Sequence, residues 1–117
     1  MTVDNVRTGT VTVAAGASLS GAVTMQPGWK LIGVIPDSAW DTAAVTFQIT
    51  VDATNYFDVY NEGVEYSLPG VLASDYNRVD MAMFYGARAI KVRSGTSGTA
   101  VNQVDDSIVT LVFWQLE

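Results

Sequence analysis

The sequence predicts an all-β domain of about eight antiparallel strands packed as a sandwich. Three observations carry that expectation. Apolar residues alternate with polar ones at every second position in segment after segment, which is the period of a strand and not of a helix. Turn-forming Gly, Pro, Asn and Asp separate those segments at intervals of roughly 8–12 residues. No stretch of about ten residues or more carries an amphipathic helical pattern.

The elements follow in order. Thr8–Ala14 (TGTVTVA) sets Val11 and Val13 against Thr10 and Thr12, a strand that Ala15-Gly16 breaks. Leu19–Met25 is a weaker strand, closed by Gln26-Pro27-Gly28. Trp29–Ile35 (WKLIGVI) is apolar except for Lys30, which suits a strand covered on both faces, and Pro36-Asp37-Ser38 ends it. Ala44–Asp52 (AVTFQITVD) alternates most strictly, with Val45, Phe47, Ile49 and Val51 on one face. Asp52–Asn55 turns the chain into Tyr56–Tyr60, with Phe57 and Val59 inward. Asn61-Glu62-Gly63 turns it again into Val64–Leu68, and Pro69-Gly70 is a strong break. Val71–Asn77 reads as loop, Arg78–Met83 as a strand and Phe84–Ala87 as a short turn. Arg88–Arg93 places Ile90 and Val92 inward with Lys91 and Arg93 on a solvated face. Ser94–Ala100 (SGTSGTA) reads as a mobile small-residue loop, and Ser107–Leu116 is a long closing strand. Eight strands in two sheets is the jelly-roll count. The 117 residues fit a single domain, 1–117, with Met1–Arg7 as an extended N-terminal arm.

Composition bounds the function. With 49% apolar and 15% charged residues the chain is not of the disordered class. Its net charge is −6, from 12 acidic and 6 basic residues. Only Arg88, Lys91 and Arg93 cluster, so no basic footprint for nucleic acid exists. No basic segment with an apolar core follows Met1, and no apolar run approaches the roughly 20 residues that span a bilayer. The expectation is a chain without signal peptide or membrane partner.

Cysteine and histidine are both absent. That removes disulfides, thiolate nucleophiles, the Ser-His-Asp triad and the usual zinc sites. Adjacent Asp105 and Asp106 would point to opposite faces of an extended chain and make a poor catalytic pair, and Glu62 and Glu65 read as loop residues. Asp52, Asn55 and Asp58, or Asp37 and Asp41, offer oxygen ligands of the kind calcium takes, but no EF-hand pattern is present. Asp and Asn bonding to nearby backbone explains them as well. Gly95–Gly98 lacks the Lys of a phosphate loop. No catalytic residue, metal site or cofactor is expected, and the chain is read as a non-enzyme.

Two groups of side chains remain. In Ser107–Leu116 one face carries Val109, Leu111 and Phe113, and the other carries Ile108, Val112, Trp114 and Leu116 with Thr110 alone polar. A sandwich strand normally has one wet face. Something covers the second, either a loop of the same chain or a neighbouring subunit, and Phe113, Trp114 and Leu116 are the candidate oligomer or capsid contacts. Trp40 and Tyr56, in or beside loops, are the candidates for stacking on a sugar ring, against the plainer reading that they anchor the core.

The stretch Val45–Tyr60 (VTFQITVDATNYFDVY) resembles the strand–turn–strand of discoidin-like, galactose-binding-type jelly rolls, with Ala and Tyr where their "D-G-x-N-W" turn has Gly and Trp. Ala87–Arg93 (ARAIKVR) is similar to a later strand of that fold. The full order of Tyr56–Gly63 (YFDVYNEG), Phe84–Thr96 (FYGARAIKVRSGT) and Val109–Phe113 (VTLVF) more closely resembles small virion proteins of tailed bacteriophages. The likeness runs from about Ala44 to Leu116 and carries no catalytic residue. It implies a virion structural protein made in the host cytoplasm. The foremost expectation is a capsid decoration (cement) protein on the outer shell, with the major capsid protein as partner and a homo-oligomer, a trimer, as its form. The alternative is a carbohydrate-binding module on a head fibre or tail accessory, holding host glycans.

Overall fold

In the computed structural model, which describes residues 5–115, the chain changes layer at almost every step. β1 (Val6–Val13) lies in one sheet, β2 (Leu19–Thr24) in the other, β3 (Trp29–Pro36) in the first and β4 (Ala43–Thr50) in the second. β5 (Tyr56–Asp58) stays beside β4. A small hairpin follows, β6 (Tyr60–Asn61) and β7 (Val64–Glu65), and then β8 (Leu68–Val71) returns to pair with the start of β4. β9 (Asn77–Arg78) joins the first sheet, β10 (Ala89–Ser94) the second and β11 (Ser107–Gln115) the first. Sheet 1 has the order β1-β11-β3-β9. Sheet 2 has the order β2-β10-β4-β5, with β8 also on β4. All these ladders are antiparallel. This interleaving of the two sheets is the all-β jelly-roll sandwich that the alternation predicts.

The inner faces meet in one core. Val11, Val13, Leu31, Val34, Val45, Phe47, Ile90, Val92, Val109, Leu111 and Phe113 are buried, and they are the alternate residues of their strands except in β3, where a bulge at Ile32 sets Leu31 and Val34 three residues apart. Phe47 packs edge-on against Phe84, centroids 5.0 Å apart, and lies near-parallel to Tyr66 at 6.2 Å. Phe113 stacks on Trp29 at 4.7 Å. Such pairs add about 0.5–1.5 kcal/mol beyond burial.

Several local expectations are corrected. β4 ends at Thr50, and Val51 is exposed in the turn. Phe57 is exposed, because β5 is an edge strand of only three residues and cannot hold both neighbours inward. The break at Pro69-Gly70 lies inside β8. Only β4 pairs with β8 in the sheet, and Pro is tolerated on an edge where its missing N–H leaves no gap. Met81 and Met83 belong to a 3₁₀ turn, Met81–Phe84, capped by the Asp80 carboxylate on the Ala82 amide at 3.0 Å. In the proposed arm, Val6 and Arg7 are part of β1, opposite Trp114 and Phe113; its first four residues lie outside the described range. Glu62 and Gly63 join β6 to β7 with φ of 53° and 79°, the two positive values that a tight hairpin turn needs.

Candidate functional site

The sandwich has two outer faces and two ends, and the strand register says what each presents. One end gathers the loops after β1, β3 and β10. Gln103, three residues beyond the Ser94–Ala100 loop, closes it. Its side chain is 1% exposed. Nε2 donates to the Asp41 carbonyl at 3.0 Å and to Ser94 Oγ at 2.9 Å, and Oε1 accepts from the Asp41 amide at 2.7 Å. The Gln103 backbone pairs with Gly16 and Ala17. The carboxylates here are turn caps. Asp37 accepts from the amides of Ala39 and Ile108, Asp41 from Val104 and Asp106 from Ala15. At the other end Asp52 accepts from the amides of Thr54 and Asn55 and from the Asn55 side chain. The two backbone bonds, foremost, hold its carboxyl well below the usual range. The bonds of Asp37 to Ala39 and of Asp52 to Thr54 and Asn55 are the local Asx-type contacts that the sequence suggests, whereas those to Ile108, Val104 and Ala15 tie loops far apart along the chain. No group of three metal-ligating side chains occurs among the described residues.

The outer face of sheet 2 is polar and closed on itself. Arg93, expected on a solvated face, is 8% exposed. Its guanidinium donates to Asp58 Oδ1 at 2.7 Å and to Glu65 Oε2 at 3.3 Å, and the β6–β7 hairpin that carries Glu65 is thereby fastened across the strands. Burial raises the Asp58 carboxyl pKa, but the Arg93 and Gln48 hydrogen bonds and the Arg93 charge outweigh it, and the net shift is downward. Lys91 sits over the Tyr56 ring at 4.2 Å from its centroid. An Arg at a strand position facing outward gives no sequence signal of burial. Only the return of Asp58 and Glu65 over it, fixed by topology, creates the pair.

The outer face of sheet 1 is different. The ladders lay it out in rows: Val6, Trp114 and Lys30; Thr8, Val112, Gly33 and Arg78; Thr10, Thr110 and Ile35; Thr12 and Ile108. Trp114 is 39% and Ile108 46% exposed. Tyr76, from the loop before β9, lies flat on this face over Gly33. A Cβ at Gly33 would come within 2.4 Å of the Tyr76 ring, and the Tyr76 hydroxyl donates to the Ile32 carbonyl at 3.3 Å. That close approach is what a residue with no side chain permits. Tyr85 stands at the rim with the Lys30 ammonium 4.9 Å from its centroid. Beside Tyr76 an open groove of about 620 Å³ is lined by Ile32, Tyr76, Arg78, Val79, Asp80 and Met81.

The residues singled out in the sequence therefore separate. Phe113 faces the core and is fully buried, so it is no surface contact. The bulge between Val112 and Phe113 sets it opposite Leu31 on the inner side. Trp114 is on the outer face and available. Leu116 lies outside the described residues. Trp40 is 4% exposed, with its indole N–H donating to the Val71 carbonyl at 3.1 Å. It plugs the sandwich end and offers no ring to a sugar. Tyr56 is half-buried, and Lys91 occupies a face of its ring. The sequence reading missed Tyr76 and Tyr85 as members of one surface with Trp114. Gly33 in an otherwise apolar strand was the available signal, since it marks a place where another group approaches the backbone.

No family model matches the sequence, and a search of curated proteins finds no match.

Proposed function

We propose that this chain is a structural protein of a bacteriophage virion, a decoration protein that binds the outer surface of the capsid and stabilises the shell. The observation that carries the reading is the outer face of sheet 1. Trp114, Tyr76, Tyr85, Ile108 and Val6 all lie on it or at its rim and remain substantially exposed. Protein contact surfaces are enriched in Trp, Tyr, Met and Arg and depleted in Asp and Glu, and Arg78 and Met81 border the same face. The likeness to tailed-phage virion proteins supports the same conclusion. Its motifs fall on β5–β6, β10 and β11, and the last of these is the central strand that carries Trp114 on the apolar face.

In this reading many copies bridge neighbouring shell subunits, the major capsid protein is the partner, and the chain performs no catalysis. Quantitative mass spectrometry and an image reconstruction of particles carrying this gene test it. The expected result is a copy number in simple proportion to the shell subunits, with density outside the shell. Particles that lack the chain, or hold it at only a few copies on the tail, refute it. The polar row Gln48, Asp58 and Lys91 on sheet 2, with Tyr56 in the row beside it, is the observation that keeps the glycan reading in the test. A decoration protein gives no signal on a glycan array, whereas a lectin gives a defined hit that Tyr56→Ala removes.

A further inference from the structure

The two outer faces differ in charge as well as in polarity. The strands of sheet 1, Val6–Val13, Trp29–Pro36, Asn77–Arg78 and Ser107–Gln115, contain no Asp or Glu, yet they hold Arg7, Lys30 and Arg78. The carboxylates of this −6 chain lie elsewhere among the described residues: in the end loops, in and beside the β6–β7 hairpin, and at Asp75 and Asp80 flanking β9. Of these, only Asp80 borders the groove, and its carboxylate already caps the 3₁₀ turn. Both salt bridges among the described residues belong to Arg93 on the opposite face. Among the described residues, Lys30 and Arg78 thus stand on an apolar surface with no carboxylate partner, one against Tyr85 and the other in the row of Val112 and Gly33.

The aromatic part of this surface is held in place before any partner arrives. Tyr76 is fixed by the bare backbone of Gly33 beneath it and by its bond to Ile32. A contact made by a ring already locked in place loses little side-chain freedom on binding. The rows repeat every ~7 Å along the strands and the strands every ~4.8 Å, so the face covers about 20 × 15 Å. That is below the ~800 Å² per partner of a stable bimolecular interface, so its rim residues, or many copies acting together on one lattice, must complete the attachment.

We infer that this face is the footing on the shell, and that the shell surface it takes is apolar and bordered by carboxylates that meet Lys30 and Arg78. The inference rests on the decoration reading and adds to it the face used and the chemistry of the partner. A second copy of this chain is the competing occupant. The juxtaposition of Trp114 and Tyr76 with two cations unpaired among the described residues favours an unlike, acidic partner over a self-contact, in which the described residues of this sheet offer only Asp75 and the capping Asp80, both beside β9, to meet Lys30 and Arg78.

The test measures binding of the purified full chain to particles assembled without it, at low and high salt. The variants are Trp114→Ala, the pair Lys30→Glu with Arg78→Glu, and a charge-matched control pair away from the face, Arg88→Glu with Lys91→Glu. Circular dichroism and melting curves establish that each is folded. Wild type is expected to bind, with affinity falling as salt rises. Lys30→Glu/Arg78→Glu is expected to lose more than about tenfold at low salt, and Trp114→Ala about tenfold at both salts, while the control stays within about twofold. If wild type fails to bind, the decoration reading falls and the footing falls with it. If wild type binds and the control pair loses as much as Lys30→Glu/Arg78→Glu, or Trp114→Ala loses nothing, the footing alone is overturned. If sedimentation shows a wild-type oligomer that Trp114→Ala dissociates while particle binding is unchanged, the face belongs to a second copy and the inference is again overturned.

Discussion

Gln103→Ala is expected to be among the most damaging substitutions in the chain, although it lies in a long loop between β10 and β11. The truncation removes three hydrogen bonds of 2.7–3.0 Å that join the β3–β4 loop, the end of β10 and its own loop, and a longer one of 3.5 Å from the Ser107 hydroxyl that is left out of the sum. Each is worth about 1 kcal/mol net. Ser94 is wholly buried, so its hydroxyl loses a partner that water cannot replace, and the vacated space adds on the order of 1 kcal/mol. The sum is about 4 kcal/mol. For a domain of this size that lowers the melting temperature by roughly 15 °C, at about 4 °C per kcal/mol. Urea denaturation followed by tryptophan fluorescence measures the loss, since Trp40 plugs the same end of the sandwich. Hydrogen exchange adds a local readout, because the Asp41 amide should lose protection well before the amides of β10. Thr99→Ala, an exposed change in the same loop, should cost less than about 0.5 kcal/mol. A Gln103→Ala loss below about 1 kcal/mol with an unchanged denaturant slope would show that the backbone contacts to Gly16 and Ala17 hold the loop without the side chain.

Two further outcomes follow from the same physics. Gly33→Ala drives a methyl group into the Tyr76 ring, which should cost about 1–3 kcal/mol as an overpacked contact. In the Tyr76→Ala background the same change should be nearly neutral, and additive losses in the double-mutant cycle would disprove the packing. With no histidine present, melting temperature should be nearly flat between about pH 5 and 8. The folded pKa values of Asp52 and Asp58 are depressed, so the stability they contribute is present above the unfolded value near 3.9 and is lost as pH falls through the folded values. Asp52→Asn with Asp58→Asn should lower stability at neutral pH and flatten its decline below about pH 4, and an unchanged acid limb refutes the assignment.

The alternation of Val45, Phe47 and Ile49 and of Val109, Leu111 and Phe113 was legible because each pattern is dictated locally by the pleat. The two-layer fold follows from it. What escaped the sequence was set by groups far apart along the chain. Arg93 looks solvated until Asp58 and Glu65 return over it from positions 35 and 28 residues away. Gln103 gives no local sign of burial until it reaches Asp41 across 62 residues. Phe113 and Trp114 are neighbours that the alternation of β11 sends to opposite faces, and which of those faces is the core is set by the second sheet packed against it. Trp40 lies in a loop, but its indole N–H finds a buried carbonyl and so the ring can be taken inside. Loop assignment alone is therefore a poor guide to which aromatic is free to bind.

A sandwich needs only the inner face of each sheet to be apolar, so the outer faces are free to differ, and here they do. On sheet 2 the cations at Lys91 and Arg93 are met within the chain by Tyr56, Asp58 and Glu65. On sheet 1, Lys30 and Arg78 form no ion pair among the described residues, and the edge strand β1 runs for eight residues with only threonines, Val6 and no carboxylate outward. Edge strands of that length are usually blunted by charge, proline or a bulge, because an open edge invites pairing with other chains. β1 has one arginine and none of the other devices. The surplus negative charge in the loops offers a different safeguard, since like-charged copies repel before their faces meet. Against an unlike acidic surface the same long-range repulsion acts, and it is offset only where carboxylates come directly opposite Lys30 and Arg78. Sequestering the acids away from one sheet thus allows a chain to resist self-pairing in solution and still adhere to another protein, which is what attachment to a preformed shell requires.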